Sequence, residues 1–436
     1  MEINPVKGTH DIIGSEAELY TEIENRCCYI AQLFGYKEIR TPVIEHTPLF
    51  LRSVGESSDI VSKEMYTFDD KGGRSLTLRP EMTAGVMRSI VSNKLYANAD
   101  LPLKYFYVGP CFRYERPQAG RYRQFNQFGV EVLGAPCAYQ DAEVISIGHR
   151  ILLTLGLKDV KVLINSLGDE ESRAAYKVAL KEYFAKHIEN MCPDCKRRFE
   201  QNPLRILDCK VPEDIEIVKG APKLTDYLTK DAKAYLENVI QTLKSIGIET
   251  EIDTNLVRGL DYYTGVVFEY HATVKEGEQD VGALGGGGHY AHLLHEVGGP
   301  EMEGIGLAMG IERLAYVCKS VIDDRAELSG DDIYIIGMTE DIIEKNFGLA
   351  EILRADGFIV ETNYQVKSIS SLMKTAVKKN TKLAIIIGED EITKKQVTVK
   401  NLKTQEQTVV AFDDLQNVLH SLINEYIEQY AKESEE

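Results

Sequence analysis

The segment from Tyr107 to Gly134 constrains the fold and the chemistry of this chain more than any other. It reads as a strand ending in Arg113 and Glu115, a basic turn and a second strand. On the second strand Gln127 and Glu131 fall on one face, because side chains alternate with period two. Such a hairpin, with a cationic tip and charges of both signs on its strands, suits a ligand with an amine at one end and phosphate at the other.

Length and composition bound the class of protein. The 436 residues, 44% hydrophobic and 27% charged, predict a soluble globular chain of roughly two to four domains. No apolar run approaches the ~20 residues that a membrane span needs, and the first residues lack the layout of a signal peptide. We therefore expect a cytoplasmic enzyme of bacterial type that does not contact the membrane.

The formal net charge of −18 argues against nucleic-acid binding driven by the field of the whole protein. It does not exclude a local basic footprint. The stretch from Lys367 to Lys403 contains nine lysines and three acidic residues, which gives it a local net charge of +6. A solvated charged surface is the default interpretation of this stretch.

Changes of pattern along the chain predict an α+β catalytic domain over 1–325, interrupted by a helical insertion at 168–247. Asp323–Gly330 reads as a polar linker. Strands and helices then alternate over 331–436, which predicts a separate α/β domain.

Three short motifs carry candidate chemistry. TLRPEMTA at 77–84 would place Arg79, Glu81 and Thr83 on one face if extended, and a carboxylate beside a hydroxyl suits an α-ammonium group. A purely structural Arg-Pro-Glu turn is the alternative. RGLDYYTG at 258–265 offers an arginine that could meet a phosphate or carboxylate. GIGLAMGIERL at 304–314 is a glycine-rich strand that breaks into a helix, whose start favours phosphate.

These elements, in this order, resemble the class II aminoacyl-tRNA synthetases. Gly35 through Pro42 matches their first motif, FRYE at 112–115 the second and GLAMGIERL the third. RGLDYYTG, TLRPE and GGGGHYAHLLHEVGG at 285–299 narrow the resemblance to the histidyl-tRNA synthetase family. The resemblance implies a catalytic domain on an antiparallel sheet and a C-terminal anticodon-binding domain. It also implies a homodimer, formed through the first motif, that uses L-histidine, ATP with Mg²⁺, and tRNA(His).

The resemblance implies site residues one by one. Six would bind histidine: Glu81, Thr83, Gln127, Glu131, Tyr263 and Tyr290. Five would bind ATP, the first two of them also catalytic: Arg113, Arg258, Glu115, Gln124 and Arg313. Four would contact the acceptor end of the tRNA: Arg116, Gln118, Arg121 and Arg123. Within the first set Glu131 and Tyr263 would bracket the imidazole, and the lysine-rich stretch would belong to an anticodon-binding face.

The sequence departs from the family pattern between Gly287 and Leu293, where GGHYAHL stands in place of GGRYDGL. The histidines there, His289, His292 and His295, suggest a metal only superficially, because their spacing drifts around a helix. The loss of the arginine and aspartate leaves the local pocket geometry open.

The cysteine pattern leaves a second question open. Cys192, Cys195 and Cys209 leave a structural zinc site one ligand short of four. Three residues could supply the fourth ligand: His187, Asp194 and Asp208. Scattered cysteines in a chain without an export signal favour free thiols, so no metal-binding residue is predicted.

Two other functions are alternatives to a ligase. One is the synthetase-like regulatory subunit of ATP phosphoribosyltransferase, and the other is a generic tRNA-binding module. The ligand-facing polar groups speak against both, and the full C-terminal domain speaks against the regulatory subunit. The groups concerned are Glu81, Arg113, Glu131, Arg258, Tyr263 and Arg313.

Overall fold

A computed structural model describes residues 3–55, 58–97, 100–272, 282–322 and 330–433. The side chains of residues 208, 320–322 and 430–433 also lie outside the description. Most of the predicted linker, the acidic tail and the Asp208 side chain therefore fall outside the described residues. The chain divides into two compact units, Met1–Val321 and Ile322–Glu436.

The first unit mixes helices and strands. Its helices are α1 (Ser15–Leu33), α2 (Thr47–Val54), α3 (Thr83–Ser92), α4 (Ala138–Thr154), α5 (Glu170–Phe184), α6 (Pro193–Gln201), α7 (Pro212–Lys219), α8 (Lys230–Ser245), α9 (Leu293–Glu296) and α10 (Ile311–Ile322). Its strands are β1 (Lys37–Glu38), β2 (Ile44–His46), β3 (Tyr66–Asp69), β4 (Ser75–Leu78), β5 (Leu103–Phe112), β6 (Gln124–Leu133), β7 (Lys161–Ser166), β8 (Thr250–Ile252), β9 (Val266–His271), β10 (Gly285–Tyr290) and β11 (Gly304–Gly310). Short helical turns lie at Ile60–Glu64, Ile188–Asn190, Pro203–Asp208 and Leu224–Asp226.

In the described part of this unit, eight strands form one sheet in the order β1-β5-β6-β11-β10-β9-β7-β8. The neighbours from β5 to β7 are antiparallel, as the predicted class II fold requires. The edge pairs β1–β5 and β7–β8 are parallel, so the sheet is mixed at its margins. Strands β2, β4 and β3 form a small separate sheet.

The hairpin predicted from Tyr107 to Gly134 is formed by β5 and β6, with Tyr105 opposite Glu131 and Phe112 opposite Gln124. Its first strand stops at Phe112, earlier than predicted. At Tyr114 the backbone N–H donates to the carbonyl of Glu64 at 2.7 Å, which draws the chain away from its hairpin partner.

The extended conformation considered for 77–84 holds only as far as Leu78. Pro80 cannot donate to a strand ladder, and α3 begins at Thr83. The Glu81 carboxylate accepts the N–H groups of Thr83 and Ala84 at 2.7 and 2.9 Å. It thereby satisfies donors that a helix start leaves without intrahelical partners. Alternation along a strand therefore does not position Glu81 and Thr83.

Between β7 and β8 the described chain is helical, from α5 to α8. This segment has a hydrophobic cluster of its own that includes Tyr176, Leu180, Phe184 and Ile206. The helical insertion of the predicted fold is thus present.

The second unit alternates strands and helices, as predicted. Its strands are β12 (Ile333–Gly337), β13 (Val360–Thr362), β14 (Leu383–Ile387), β15 (Gln396–Asn401) and β16 (Gln407–Ala411). Its helices are α11 (Glu340–Ala355), α12 (Ile369–Lys378), α13 (Glu389–Thr393) and α14 (Leu415–Glu433), with a short turn at Phe412–Asp414. The strands of this described unit form a sheet in the order β13-β12-β14-β15-β16, in which β12 is parallel to both its neighbours.

Across the residues that the structure covers, no helix combines the length and the apolar character needed to cross a membrane.

Candidate active site

A cavity of about 570 Å³ opens on the large sheet of the first unit. All six residues predicted to bind histidine line it. Four of the five predicted to bind ATP also line it, and Gln124 does not. Of the four predicted acceptor-end residues, Arg121 lines the cavity. The sheet thus gathers groups that are up to 232 residues apart in sequence, from Glu81 to Arg313.

Glu131 organises one end of the cavity, which we call the acidic end. Its side chain is 1% exposed. One carboxylate oxygen accepts the hydroxyls of Thr83 at 2.7 Å and Tyr107 at 3.0 Å, and the other accepts that of Tyr290 at 2.8 Å. Burial raises the pKa of Glu131 to about 7, against the opposing effect of these hydrogen bonds.

Two glycines make room for this arrangement. A Cβ at Gly306 of β11 would lie 2.0 Å from a Glu131 carboxylate oxygen, and one at Gly129 of β6 would lie 2.4 Å from the Tyr107 hydroxyl. Larger residues would therefore displace the buried carboxylate or its donor. The close approach explains why glycine occupies position 306 in β11 and position 129 in β6.

Glu81 is the second carboxylate of the acidic end and is 3% exposed. Burial raises its pKa, and the N–H groups of Ala84 and Thr83 oppose that rise. Because Thr83 also donates its hydroxyl to Glu131, one residue links the two carboxylates.

Aromatic side chains close the acidic end. Tyr263 is 7% exposed, and its ring lies 4.6 Å from that of Tyr262, centroid to centroid. Tyr262 in turn packs edge-on against Tyr290 at 6.0 Å. The wall therefore combines ring faces with hydroxyls that can donate or accept.

Arg258 projects from the segment that precedes β9. It forms an ion pair with Glu269 of β9, and its guanidinium carbon lies 5.9 Å from the centre of the Tyr263 ring. Glu269 lines the cavity but was not predicted as a site residue. Its position in the Val-Val-Phe-Glu-Tyr strand was the available signal, since a carboxylate in an apolar strand must face a partner or the ligand.

Three guanidinium groups gather at the other end of the cavity, which we call the cationic end: Arg113, Arg121 and Arg313. Burial and the positive charges of Arg121 and Arg113 lower the pKa of Arg313. Arg113 donates from Nε to the Pro80 carbonyl at 2.8 Å. Glu115 lies 3.8 Å from Arg113 and 4.0 Å from Arg121, but its single charge does not offset three cations, so this end carries a positive potential that attracts anions.

The tip of the hairpin is only partly turned toward the cavity. Arg116 and Gln118 are exposed. Arg123 instead stacks on Tyr114, with its guanidinium carbon 3.9 Å from the ring centre, and its backbone N–H donates to the Gly8 carbonyl at 2.7 Å. Its guanidinium therefore braces the base of the loop.

The departure at GGHYAHL leaves the cavity-facing residue in place, because Tyr290 still donates to Glu131. His289 lies on the other face of β10, between Asp141 at 3.4 Å and Glu303 at 2.9 Å. Although burial alone would lower it, the hydrogen bonds with Asp141 and Glu303 raise the pKa of His289 to about 9. His289 is part of a strand, so the helical spacing considered for the three histidines does not apply.

Sequence reasoning missed three further residues at the site. Tyr107 donates its hydroxyl to Glu131, while Glu312 and Lys210 line the cavity. Glu312 accepts the backbone N–H of Asn126 at 2.8 Å. Lys210 reaches the cavity from the helical insertion, a placement that only the tertiary fold reveals.

Comparison with known proteins gives a consistent result. The family model described as "Histidyl-tRNA synthetase" matches residues 8–314, and that described as "Anticodon binding domain" matches residues 332–422. The chain is 45% identical to the histidine–tRNA ligase of Lysinibacillus sphaericus, covering 96% of this chain and 99% of that protein. It is 46% identical to that of Bacillus subtilis, with the same coverage. The crystal structure of apo Staphylococcus aureus histidyl-tRNA synthetase superposes with a TM-score of 0.80 at 37% identity, covering 96% of this chain and 100% of that one.

Proposed function

The chain belongs to the histidyl-tRNA synthetase family, and on that premise we propose that it activates L-histidine with ATP and transfers the histidyl group to the 3′ end of tRNA(His). The observation that carries the proposal is the pairing of an acidic end and a cationic end in one cavity. An amino acid and a nucleotide need the two kinds of environment side by side.

The acidic end accounts for the choice of amino acid. A carboxylate offers about four acceptor positions, and three hydroxyls occupy three of those on Glu131. The remaining position takes an imidazole N–H, while Tyr263 meets the other ring nitrogen. Glu81, Thr83 and Gln127 hold the α-ammonium group. Analogues that leave such groups unpaired lose a factor on the order of 10⁴ or more.

The cationic end and Arg258 account for the chemistry. The histidine carboxylate attacks the α-phosphorus in line and pyrophosphate leaves, so negative charge must be stabilised by fixed cations. Arg113 acts at the α-phosphate, Arg258 at the reacting carboxylate and phosphate, and Arg313 at the γ-phosphate. Glu115 and Gln124 orient the nucleotide.

Mg²⁺ arrives with ATP as part of the substrate and supplies further positive charge at the phosphates. Carboxylate oxygens suit this ion, and two glutamate side chains of the cavity lie close to its arginines. Glu115 lies 3.8 Å from Arg113, and Glu269 pairs with Arg258. These two side chains would hold the ion.

The acceptor end of tRNA(His) meets the hairpin tip, where Arg116, Gln118 and Arg121 are exposed. Arg123 shapes that tip from its position on Tyr114. The tip thus presents cations beside the cavity in which the histidyl group is formed.

In the second unit the anticodon face is best supported at one edge of the sheet. Parallel strands β12 and β13 end together, and Asn363 bridges to the Gly337 backbone with two 2.8 Å hydrogen bonds. Tyr364 follows at 75% exposure, with its ring 6.0 Å from that of Phe347. Exposed rings suit stacked bases, and exposed lysines suit the phosphates that join them.

The lysines of the lysine-rich stretch differ in whether they form ion pairs. Lys382 is buried against Asp332 at 2.6 Å, and Lys379 pairs with Glu361 at 2.7 Å. Lys374 and Lys378 are exposed on α12. Replacing both with alanine should reduce the log–log salt slope of tRNA binding by roughly 0.7–0.9 per true contact, and Lys379→Ala serves as the matched control.

The assembly and the domain limits belong to the same proposal. A homodimer would form through the region of Gly35–Pro42, which includes the edge strand β1. The catalytic domain would span 1–325, interrupted by the insertion at 168–247, with the anticodon-binding domain at 331–436. Light scattering of the full chain tests the dimer, because a monomeric mass at micromolar concentration contradicts it.

Exchange of labelled pyrophosphate into ATP tests the activation step. Exchange should require histidine and should not be supported by the other amino acids. Exchange without any amino acid, or equal exchange with another one, would contradict the assignment.

A further inference from the structure

We propose that Cys192, Cys195, Cys209 and Asp214 bind a Zn²⁺ ion that fastens the helical insertion to the wall of the active-site cavity. One ligand atom from each of the four residues lies within 4.8 Å of all the others. The two sulfurs of Cys192 and Cys209 are 3.9 Å apart, and the Cys209 sulfur is 3.2 Å from Asp214 Oδ2.

These separations match a tetrahedral zinc site. Zn–S bonds of about 2.3 Å at tetrahedral angles place two sulfurs about 3.8 Å apart. A disulfide would need the two sulfurs at about 2.05 Å, and it would leave the third cysteine and the carboxylate behind. Three thiolates with one carboxylate select zinc over the hard cations Mg²⁺ and Ca²⁺.

Local backbone structure holds the four side chains in this arrangement. Cys192 precedes α6, and its sulfur accepts the N–H of Cys195 at 3.4 Å. The N–H of Cys192 donates to Asp214 Oδ2 at 3.1 Å, which draws the first turn of α7 toward α6. Hydrogen bonds to a sulfur and to a carboxylate both favour their charged, metal-binding forms.

Burial supports the same conclusion. Cys195 is 0%, Cys209 6% and Asp214 1% exposed. A carboxylate buried among thiols is costly unless its charge is compensated, and a divalent cation at their common centre compensates it. The cluster lies in the core of the insertion, whose hydrophobic cluster includes both buried cysteines.

Two of the three candidates for the fourth ligand taken from the sequence lie elsewhere. Asp194 pairs with Lys63 at 3.0 Å, and His187 packs on Tyr183 with ring centres 5.1 Å apart. The Asp208 side chain lies outside the described residues. Sequence reasoning missed Asp214 because only the fold brings it to the cysteines. The chain turns after Cys209, and α7, which begins at Pro212, lies back against α6. The geometry therefore favours a metal site where the sequence favoured free thiols.

The ion would act on the catalytic cavity through the chain between its ligands. Arg205 donates from Nε to Asp261 Oδ1 at 2.9 Å and from its terminal nitrogen to the Gly259 carbonyl at 3.0 Å. Asn202 adds a hydrogen bond to Asp261 at 3.2 Å. Asp261 and Gly259 belong to the segment that carries Arg258 and Tyr263. Because Asn202 and Arg205 lie between the ligands Cys195 and Cys209, an ion that fixes both cysteines also fixes that segment.

Metal content of the full chain, prepared without a histidine tag and dialysed, tests the site directly. Mass spectrometry of the metals should find about one zinc per chain. Replacement by Co²⁺ should give the intense absorption of tetrahedral thiolate coordination. Less than about a tenth of an equivalent in the folded chain, with no cobalt–thiolate absorption, would overturn the proposal. A mass 2 Da lower, showing a disulfide within the cluster, would overturn it equally.

Two pairs of variants locate the ligands. Cys209→Ser should lose the metal, while Cys137→Ser, at an exposed cysteine outside the cluster, should keep it. Asp214→Asn should weaken metal retention on the order of tenfold or more, while Asp194→Asn should not. Equal metal content in both members of either pair excludes the residue tested as a ligand and overturns the four-residue site.

The coupling to the cavity has a separate readout. Arg205→Ala should keep the zinc but raise the KM for histidine in pyrophosphate exchange, because Asp261 and Gly259 lose their hydrogen bonds from Arg205. Unchanged KM would overturn the coupling. This readout rests on the proposed histidine activation, whereas zinc content does not. A failed exchange assay with zinc present therefore counts against the function, and missing zinc with normal exchange counts against the site.

Discussion

The two ends of the cavity are built on opposite principles. At the acidic end Glu131 already receives hydroxyls from Thr83, Tyr107 and Tyr290. At the cationic end the guanidinium groups of Arg113 and Arg313 face one another's charge, and their repulsion contributes to the lowered pKa of Arg313. The first end is held in shape by hydrogen bonds between its own side chains, whereas the second keeps an excess of positive charge around Glu115. Selectivity should therefore reside in the first end and rate enhancement in the second.

Arg258 joins the two ends and carries the largest expected effect. It lies against Tyr263 and pairs with Glu269, whose charge also acts on Arg313. Arg258→Ala should slow pyrophosphate exchange by about 10²–10³-fold, since a preorganised donor to the reacting groups is lost. Circular dichroism should show an intact fold. Arg74→Ala, which breaks the ion pair of an exposed arginine with Asp70, is the control, and near-normal exchange in Arg258→Ala would refute the role.

Glu131→Gln tests the roles of the two ends by a change at the acidic end. The charged acceptor at the imidazole becomes a neutral amide, so kcat/KM for histidine should fall by about 10²-fold while the KM for ATP stays within about twofold. The two constants are measured by varying each substrate in pyrophosphate exchange. Equal losses for both substrates would make Glu131 a structural residue and remove the distinction between the ends.

The sequence predicts the positions of some cavity residues better than others, because some positions depend on local structure and others on tertiary packing. Strand alternation is local, so it correctly placed Gln127 and Glu131 on one face of β6. Glu81 does line the cavity, but the reason taken from the sequence was incomplete, because its orientation comes from the start of α3 and not from a strand. Both features lie within a few residues of the side chains concerned.

The remaining cavity residues depend on tertiary packing. Glu269 arrives with β9, and Lys210 arrives from the insertion. No local period links them to the motifs. The anchoring of Arg123 on Tyr114 was likewise invisible in sequence, where all the tip arginines look alike.

Arg313→Ala tests the roles of the two ends by a change at the cationic end. It should raise the KM for ATP by about tenfold, the loss of one charge-assisted contact, and leave the KM for histidine unchanged. Inorganic pyrophosphate should stabilise the wild type against heating more than this variant. If pyrophosphate raised both melting temperatures equally, Arg313 would not belong to the anion site.

The pKa of Glu131, raised to about 7 by burial, gives a smaller, pH-dependent effect. A carboxyl whose folded pKa exceeds its unfolded value contributes stability below the unfolded value and loses it as pH rises through about 7. Glutamine at this position does not ionise. The melting temperature of Glu131→Gln relative to wild type should therefore increase between pH 5.5 and pH 8.5 by a few degrees. A pH-independent difference would place the pKa of Glu131 outside this range.

The smallest effects should come from two glutamines on the same strand. Gln127 lines the cavity and accepts the Cys111 thiol at 3.4 Å, whereas Gln124 is exposed at the tip end of β6. Gln127→Ala should remove the hydrogen bond proposed to the ammonium group, so the KM for histidine should rise by about fivefold to tenfold, a net loss near 1–1.5 kcal/mol. Gln124→Ala should change only the KM for ATP, and by about twofold, because water competes for an exposed amide. The pair tests whether the boundary between the ends runs along β6 itself. A histidine effect from Gln124→Ala, or an ATP effect from Gln127→Ala, would show that the strand does not separate them.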